Sequence, residues 1–245
     1  MVNFLPNAAF HRPRGWVMSM AWEDLLFMHW RVPAEALRRF LPAGLELDLF
    51  DNEAWLGIVP FRMSHVRGRF LPSLPGMSAF PELNVRTYVK RGGGMPGVWF
   101  FSLDAANPVA VRGAREFFHL PYFDAGITLD RSGSGIGYRS HRTHAGAPPA
   151  DFQSRYAPVG PVYRSSQGTL EDWLTARYCF YAAGPDGSLF RTDVHHQPWK
   201  LQKATALTEV NTMAGQCGLD LPEEEPLLHF SRKTEVVAWF PERVG

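Results

Sequence analysis

Short segments of β-type residues, separated by turn residues at close intervals, constrain the fold of this chain most. The 245 residues include 22 glycines and 20 prolines, which interrupt strands and helices and favour turns. The segments between them are rich in β-branched and aromatic residues, which favour strands. Strands are predicted at residues 25–32, 45–50, 54–65, 83–90, 98–103, 125–129, 137–144, 189–196 and 235–240. This pattern predicts a mostly β (α+β) fold with few helices.

Four helical segments are predicted between the strands. Residues 33–40 begin with a proline, which the first turn of a helix tolerates. Residues 109–119 form a second candidate. Residues 169–181 show the clearest helical pattern, because Thr169 can cap the first turn and two acidic residues follow it. Residues 205–215 are predicted as a fourth helix.

Length and composition are those of an ordinary globular protein. Hydrophobic residues make up 45% of the chain and charged residues 20%, and no repeat or linker divides it. A single domain over residues 1–245 is therefore expected. The formal net charge of +1 predicts no nucleic-acid partner. Because no apolar run is long enough to span a bilayer, no membrane partner is predicted either.

The cysteines and the first residues favour a cytoplasmic location. Cys179 and Cys217 are the only cysteines, and two cysteines without a Cys-x-x-Cys motif are typical of reduced, buried residues. Residues 1–16 contain prolines and arginines but no apolar stretch typical of a signal peptide.

One predicted strand alternates polar and apolar residues over its whole length. Its polar residues Glu82, Asn84, Arg86 and Tyr88 alternate with the apolar Leu83, Val85 and Val89. In an open sheet the polar face would contact solvent. In a barrel the same face could be the inner one, where a carboxylate, an amide and a guanidinium would share a cavity. The sequence leaves both alternatives open.

The predicted strand 189–196 carries a second set of candidates. Arg191, Asp193 and His195 share one face, and His196 points to the other. An Asp–His pair can orient an imidazole for base catalysis, but an ion-pair ladder explains the same pattern. Because adjacent histidines of a strand point in opposite directions, no metal site is predicted.

The glycine-rich segment around Ser134 does not carry a known catalytic or nucleotide-binding motif. It leads into another predicted strand, so no helix N-terminus is available to receive a phosphate. The chain also has no Gly-x-Ser-x-Gly nucleophile elbow. No cofactor is predicted.

Several blocks of the sequence carry a family resemblance. They are residues 22–33, 41–45, 82–89, 97–105, 120–123, 174–179 and 195–199. Together they resemble the YqjF-like uncharacterised bacterial proteins, which are grouped with the acetoacetate decarboxylase-like superfamily. The resemblance spans roughly residues 16–215. It implies a β-barrel with a flanking sheet and a few helices around an internal pocket.

The superfamily resemblance also implies site residues. Arg31 matches an arginine that serves the active site of the decarboxylase, and Glu82 matches its active-site glutamate. Residues 113–125 resemble the segment that carries the paired lysines, but Tyr122 and Phe123 occupy the lysine positions here. In the decarboxylase one lysine forms a Schiff base and its neighbour lowers its pKa. Neither Tyr nor Phe can form an imine, so that mechanism is not expected.

These matches lead to two alternative functions for an internal pocket that takes a small carboxylate or carbonyl compound. The first is an acid–base enzyme without a Schiff base, with Glu82 and Tyr122 as catalytic residues. The second is a non-catalytic small-molecule binding protein. The expected ligand-binding residues are Arg31, Asn84, Arg86, Arg115 and His195. Whether the chain forms a homo-oligomer is left open. The pKa of Glu82 separates the alternatives, because a catalyst needs it raised by burial.

Overall fold

Strands dominate the computed structural model, which describes residues 15–74 and 76–245. The strands are β1 Met18–Val32, β2 Glu46–Leu47, β3 Ala54–Gly68, β4 Phe80–Lys90, β5 Gly97–Ala105, β6 Tyr122–Ser132, β7 Gly135–Arg142, β8 Asp151–Tyr163, β9 Cys179–Ala183, β10 Leu189–His196, β11 Leu201–Asn211, β12 Leu227–Ala238 and β13 Glu242–Arg243. The helices are α1 Ala34–Arg38, α2 Pro108–Phe118 and α3 Leu170–Thr175, with a 3-10 helix at Met213–Cys217. The mostly β fold class is confirmed.

The strands of the described residues pair into one sheet. Their order is β13-β10-β9-β5-β6-β7-β8-β11-β12-β1-β3-β4-β2. Two further pairings, β4 with β5 and β10 with β12, join strands that are distant in this order. The sheet therefore folds back on itself, and β1, β3 and β4 lie between two groups of side chains.

The two groups of side chains use opposite faces of the same strands. On one face of β4, Leu83 and Val85 pack into a core with Tyr138 and Phe152 from β7 and β8. On the other face, Glu82 and its alternate neighbours point toward a second apolar cluster, formed with β5, β10 and α2. The predicted alternation of β4 is thus observed, and its polar face points inward.

A bulge in β1 brings more side chains to the second cluster. Asp24 has a positive φ of 53°, and the pairing of β1 with β3 shifts register between Glu23 and Met28. Before the bulge the even-numbered Met20 and Trp22 line the cavity, and after it the odd-numbered residues do so, beginning with Leu25. A single irregular residue thereby keeps apolar side chains on the cavity side.

The helix predicted at residues 169–181 is shorter than expected. Thr169 caps it, accepting a hydrogen bond from the backbone N–H of Asp172, but the helix ends at Thr175. Residues from Cys179 onward form β9, which pairs with β5 and β10. The aromatic and β-prone residues Tyr178 to Tyr181 thus follow tertiary pairing, which overrides a helical pattern of this length.

The helix predicted at residues 205–215 is wrong. Residues 201–211 form β11, which pairs antiparallel with β8, and only Met213–Cys217 is helical. Partly buried and exposed residues alternate along β11, which is the period of two typical of a strand.

The helices predicted at 33–40 and 109–119 are observed as α1 and α2. Among the described residues, no helix has the length and apolar character needed to cross a membrane. Most of the segment read for a signal peptide, residues 1–14, lies outside the described residues, and the single-domain assignment stays a prediction.

Candidate functional site

A cavity of about 330 Å³ lies between the polar face of β4 and helix α2. Its wall is mostly aromatic and aliphatic, with contributions from β1, β3, β5 and β10. The polar side chains that reach it include Glu82, Asn84, Arg86, Tyr122, Arg177 and His196. A largely apolar cavity with a few convergent polar groups is the usual form of a small-molecule site.

Glu82 and Tyr122 form the first polar group of the cavity. The Tyr122 hydroxyl donates a hydrogen bond of 2.7 Å to Glu82 Oε2, and both side chains are buried. Glu82 lies at the start of β4 and Tyr122 at the start of β6. Arg115 of α2 donates to the Tyr122 backbone carbonyl at 2.7 Å, which ties the helix to the strand that carries the hydroxyl.

Burial changes the protonation of this pair. Desolvation raises the pKa of Glu82 to about 8, with a further rise from the nearby Asp104 and an opposing effect from the Tyr122 hydrogen bond. Desolvation also raises the pKa of Tyr122 well above its usual value. At neutral pH Glu82 is therefore mostly a neutral acid, and it becomes a carboxylate near pH 8.

Asp104 belongs to a buried ion pair that the sequence reading missed. Arg142 binds it with two hydrogen bonds, Nε to Oδ2 at 2.9 Å and Nη2 to Oδ1 at 2.6 Å. Gln216 accepts a further hydrogen bond from Arg142 at 3.1 Å. An aspartate inside an apolar strand was the available signal, because buried charges are paired. The partner, 38 residues away, had no local signal.

Arg86 lies in the same cavity but has no acidic partner. Among the described residues it forms no ion pair, its Nε is buried without a hydrogen-bond partner, and its Nη2 reaches the Leu174 carbonyl only at 3.5 Å. Its guanidinium lies 5.6 Å from the Phe27 ring centre and 5.8 Å from that of Tyr88. Asn84 Oδ1 is also buried without a partner within the described ranges.

Arg177 is a cavity residue that the sequence reading placed on a helix. It follows α3, and its Nη1 donates to Asp48 Oδ2 at 2.6 Å while its Nε donates to the Trp173 carbonyl at 2.7 Å. Its Nη2 is buried and has no partner in the described part of the chain. The guanidinium lies 4.9 Å from the Tyr88 ring centre, so Arg86 and Arg177 share one aromatic neighbour.

The histidine that lines the cavity is His196, not the expected His195. His196 contacts the carbonyl of Gln197 through Nδ1 at 2.8 Å, and burial lowers its pKa to about 4. His195 lies on the opposite face of β10, stacked at 6.4 Å on Tyr178. His195 therefore does not line this cavity, because strand alternation turns it away.

Arg31 also lies outside the cavity. It shares a face with Phe27, as predicted, but it sits at the end of β1, where it is exposed and lies over Trp55 at 5.6 Å. Its position in the strand, two residues beyond His29, carries it past the cavity. Arg115 is likewise exposed and does not line the cavity.

Tyr122 and Phe123, which the resemblance aligns with the paired lysines of the decarboxylase, lie on opposite faces of β6. Tyr122 enters the cavity, whereas Phe123 packs under the Arg142 guanidinium, 4.2 Å from its ring centre. No lysine lines the cavity within the described residues. Lys200 and Lys203 are exposed on the surface.

Comparison with known proteins identifies the family. Residues 19–235 match the model of DUF2071, described as an uncharacterized conserved protein. The chain belongs to the DUF2071 family. One relative of the chain is the uncharacterized protein YqjF of Bacillus subtilis (strain 168). It is 44% identical over 224 residues, which cover 91% of each chain.

Solved structures with the same fold are acetoacetate decarboxylase-like proteins. The acetoacetate decarboxylase of Legionella pneumophila is 14% identical, with a TM-score of 0.66. The match covers 100% of this chain and 98% of the decarboxylase chain. An acetoacetate decarboxylase-like enzyme from Sphingomonas wittichii RW1 is 16% identical, with a TM-score of 0.60 over 94% of each chain. The enduracididine biosynthesis enzyme MppR complexed with pyruvate is 13% identical, with a TM-score of 0.62 over 98% and 95%. These TM-scores establish a shared fold.

Proposed function

We propose that the cavity binds a small carbonyl compound and that Glu82 exchanges a proton with the carbon next to the carbonyl group. The observation that carries this proposal is the buried Glu82 carboxyl, whose pKa of about 8 suits a base that works near neutral pH. A structural carboxylate would be paired with a cation, as Asp104 is with Arg142. The likeness to a protein complexed with pyruvate supports a carbonyl ligand.

The proposed step is a proton abstraction. The ionised Glu82 removes a proton from the carbon, the C–H bond breaks, and its electron pair moves toward the carbonyl oxygen to give an enolate. The Tyr122 hydroxyl binds Glu82 Oε2 and orients the carboxylate, so that the other oxygen meets the ligand. Asn84 is the next residue on the same face of β4, and its amide N–H supplies a donor for the enolate oxygen. The Glu82 carboxyl then exchanges this proton with water and returns a proton to the carbon, so that water is the only other reactant.

Two other mechanisms receive no support from the cavity. An imine needs a lysine, and none lines the cavity among the described residues. We therefore expect borohydride with acetoacetate to leave no reduced adduct on any lysine. Cys179 also borders the cavity, but burial raises its pKa to about 12, so it remains an unreactive thiol.

The chemistry of the cysteines fits a cytoplasmic protein. Cys179 and Cys217 are both buried and unpaired, and reduced buried cysteines are typical of the cytoplasm. The proposal therefore places this proton exchange in that compartment.

Deuterium exchange tests the proposed function without knowledge of the natural ligand. Acetone, pyruvate and levulinate are incubated with the protein in D₂O, and loss of the signals of the exchanging protons is followed by NMR. We expect exchange with at least one compound above the buffer rate, rising with pH to a plateau with an apparent pKa near 8. Glu82→Gln should reduce that rate by about 10²- to 10⁴-fold. Exchange that persists in Glu82→Gln contradicts the role of Glu82.

A non-catalytic binding protein is the second candidate. It is favoured by the neutral form of Glu82 at pH 7, because a protonated carboxyl can hydrogen-bond a carbonyl oxygen without reacting. Binding of these compounds by calorimetry, with no exchange at any pH between 6 and about 9.5, assigns the protein to this class.

A further inference from the structure

Two polar groups occupy different ends of the cavity. Glu82 and Tyr122 form one, and Arg86 with Arg177 forms the other. Alternate residues of a strand are about 6.7 Å apart, so Glu82 and Arg86 are separated by about 13 Å between Cα atoms. The Arg86 guanidinium lies beside Tyr88 and Leu174, and Tyr88 is farther along β4 from Glu82.

The electrostatic neighbours of each group support this separation. The groups that shift the pKa of Glu82 are Tyr122 and Asp104. Arg86 instead acts on Arg177, His29 and His196. The two polar groups of the cavity therefore have separate surroundings.

The arginine end carries an uncompensated positive charge. Asp48 neutralises Arg177, but Arg86 has no ion-pair partner within the described ranges. His29 and His196 are both neutral, because burial lowers their pKa values. A partly buried cation without a partner is unfavourable, and an anionic group of a ligand would remove that penalty.

The contacts of Arg86 and Arg177 with aromatic rings and backbone carbonyls leave some of their N–H donors available for an anion. The Tyr88 hydroxyl donates to the Leu174 carbonyl at 2.9 Å and lies 2.7 Å from His29 Nε2, so this hydroxyl is already engaged. The unpartnered donors are Arg86 Nε and Arg177 Nη2. Two guanidinium N–H groups of this kind suit a carboxylate.

The size of the cavity limits the rest of the ligand. Its volume of about 330 Å³ would hold on the order of ten water molecules, or a molecule with a similar number of non-hydrogen atoms. Between the two ends the wall is mostly apolar, with Phe61 and Leu103 among its side chains, and Asn84 is the polar residue that β4 adds there. The middle of the ligand should therefore be hydrocarbon.

We infer that the ligand is an oxo-monocarboxylate in which an apolar spacer of several bonds separates the carboxylate, bound by Arg86 and Arg177, from the carbonyl group at Glu82. This inference rests on the proposed function and names its substrate class. Pyruvate, whose two groups are adjacent, and acetoacetate, in which one methylene group separates them, are too short to reach both ends of the cavity.

A chain-length series tests the inference. The probes are pyruvate, acetoacetate, levulinate and the homologues of levulinate lengthened by one, two and three methylene groups, and each acid is paired with its neutral amide. Binding is measured by calorimetry and proton exchange by NMR in D₂O. We expect the longer acids to bind more tightly than pyruvate and acetoacetate. They should also bind about 10- to 150-fold more tightly than their amides, the value of a charge-assisted hydrogen bond.

Arginine variants assign the anion site. Arg86→Met keeps the aliphatic stem and should remove the preference for acid over amide. Arg86→Lys should restore part of it, since the fork geometry is lost. Arg31→Met is the matched control outside the cavity and should keep the full preference. Melting curves show whether each variant is folded.

The outcomes separate this inference from the proposed function. Equal binding of acids and amides by the unaltered protein, or an undiminished preference in folded Arg86→Met, overturns the inference. So does an Arg86-dependent preference that is as strong for pyruvate as for the longer acids. If ketones exchange protons through Glu82 regardless of a carboxylate, the proposed function stands and the inference fails. If long acids bind through Arg86 but never exchange, the acid–base function fails and the assigned ligand class stands.

Discussion

The two faces of β4 differ in how their buried side chains are satisfied. Leu83 and Val85 are both fully buried and fill a close-packed core. Glu82 and Asn84 are almost as inaccessible, yet they border a cavity, and Asn84 Oδ1 has no partner in the described residues. Low exposure is common to both faces, so exposure alone does not identify the functional face. Unfilled volume next to incompletely satisfied polar groups does.

The charged residues show the same contrast. Asp104 and Arg142 are buried and bind each other with two hydrogen bonds, whereas Glu82 and Arg86 lack ion-pair partners in the described chain. We interpret the Asp104–Arg142 pair as structural. We interpret Glu82 and Arg86 as available for a ligand. Four predictions test this division, beginning with the largest expected effect.

Arg142→Met should destabilise the protein by about 3–5 kcal/mol, because it leaves the Asp104 carboxylate buried without its partner. Urea denaturation measures the change. Arg139→Met, an exposed position on the same strand, is the control and should lie within about 0.5 kcal/mol of the unaltered protein. Equal effects of the two substitutions would show that the Asp104–Arg142 pair is not a structural element.

Glu82→Gln should instead stabilise the protein at alkaline pH. The pKa of Glu82 is about 8 in the folded chain and 4.5 in the reference state, so the folded state binds the extra proton between these values. Stability from this group is present below pH 4.5 and is lost as pH rises toward 8. The glutamine variant lacks this loss and should be more stable by up to about 5 kcal/mol well above pH 8.

The pH profile contains its own control. His196 acts in the opposite sense, because its pKa is lowered to about 4 and its contribution is lost as pH falls below 6.5. At each pH, the difference in free energy of unfolding between Glu82→Gln and the unaltered protein is free of the His196 contribution, because both proteins contain His196. That difference should vanish near pH 4.5, and a difference independent of pH would contradict the assignment.

Leu83→Ala should cost about 3 kcal/mol, because it opens a new cavity in the packed core. Leu103→Ala is the matched variant, since Leu103 is also buried but lines the existing cavity. The loss of stability in Leu103→Ala should be smaller than in Leu83→Ala, because fewer packed atoms are left without contacts. Chemical denaturation compares them, and a larger loss for Leu103→Ala would reverse the proposed roles of the two faces.

Arg31→Met should have the smallest effect. Its stacking over Trp55 is at an exposed position and is worth about 0.5–1 kcal/mol. Its ligand affinity, measured by calorimetry with the longest oxo acid of the series, should be unchanged. A loss of affinity as large as that of Arg86→Met would return Arg31 to the binding site.

The sequence predicts local features of this fold better than distant ones. The alternation along β4 and the Thr169 cap of α3 depend on neighbouring residues, and they appear as expected. The strand after α3 depends on pairing with β5 and β10, and a helical pattern concealed it. Glu82 and Tyr122 were found through a family resemblance. Arg177 was not identified as a site residue, because its position depends on Asp48, 129 residues away.

The ionisation of Glu82 is the most direct test of the account. Infrared spectroscopy of the protein in D₂O, with Glu82→Gln as the difference reference, follows the carbonyl band of a protonated carboxyl through a pH titration. The account predicts that the band assigned to Glu82 persists at neutral pH and disappears with a midpoint near 8. A midpoint at or below 4.5 would mean that Glu82 is an ordinary carboxylate, and the proposed proton exchange would lose its base.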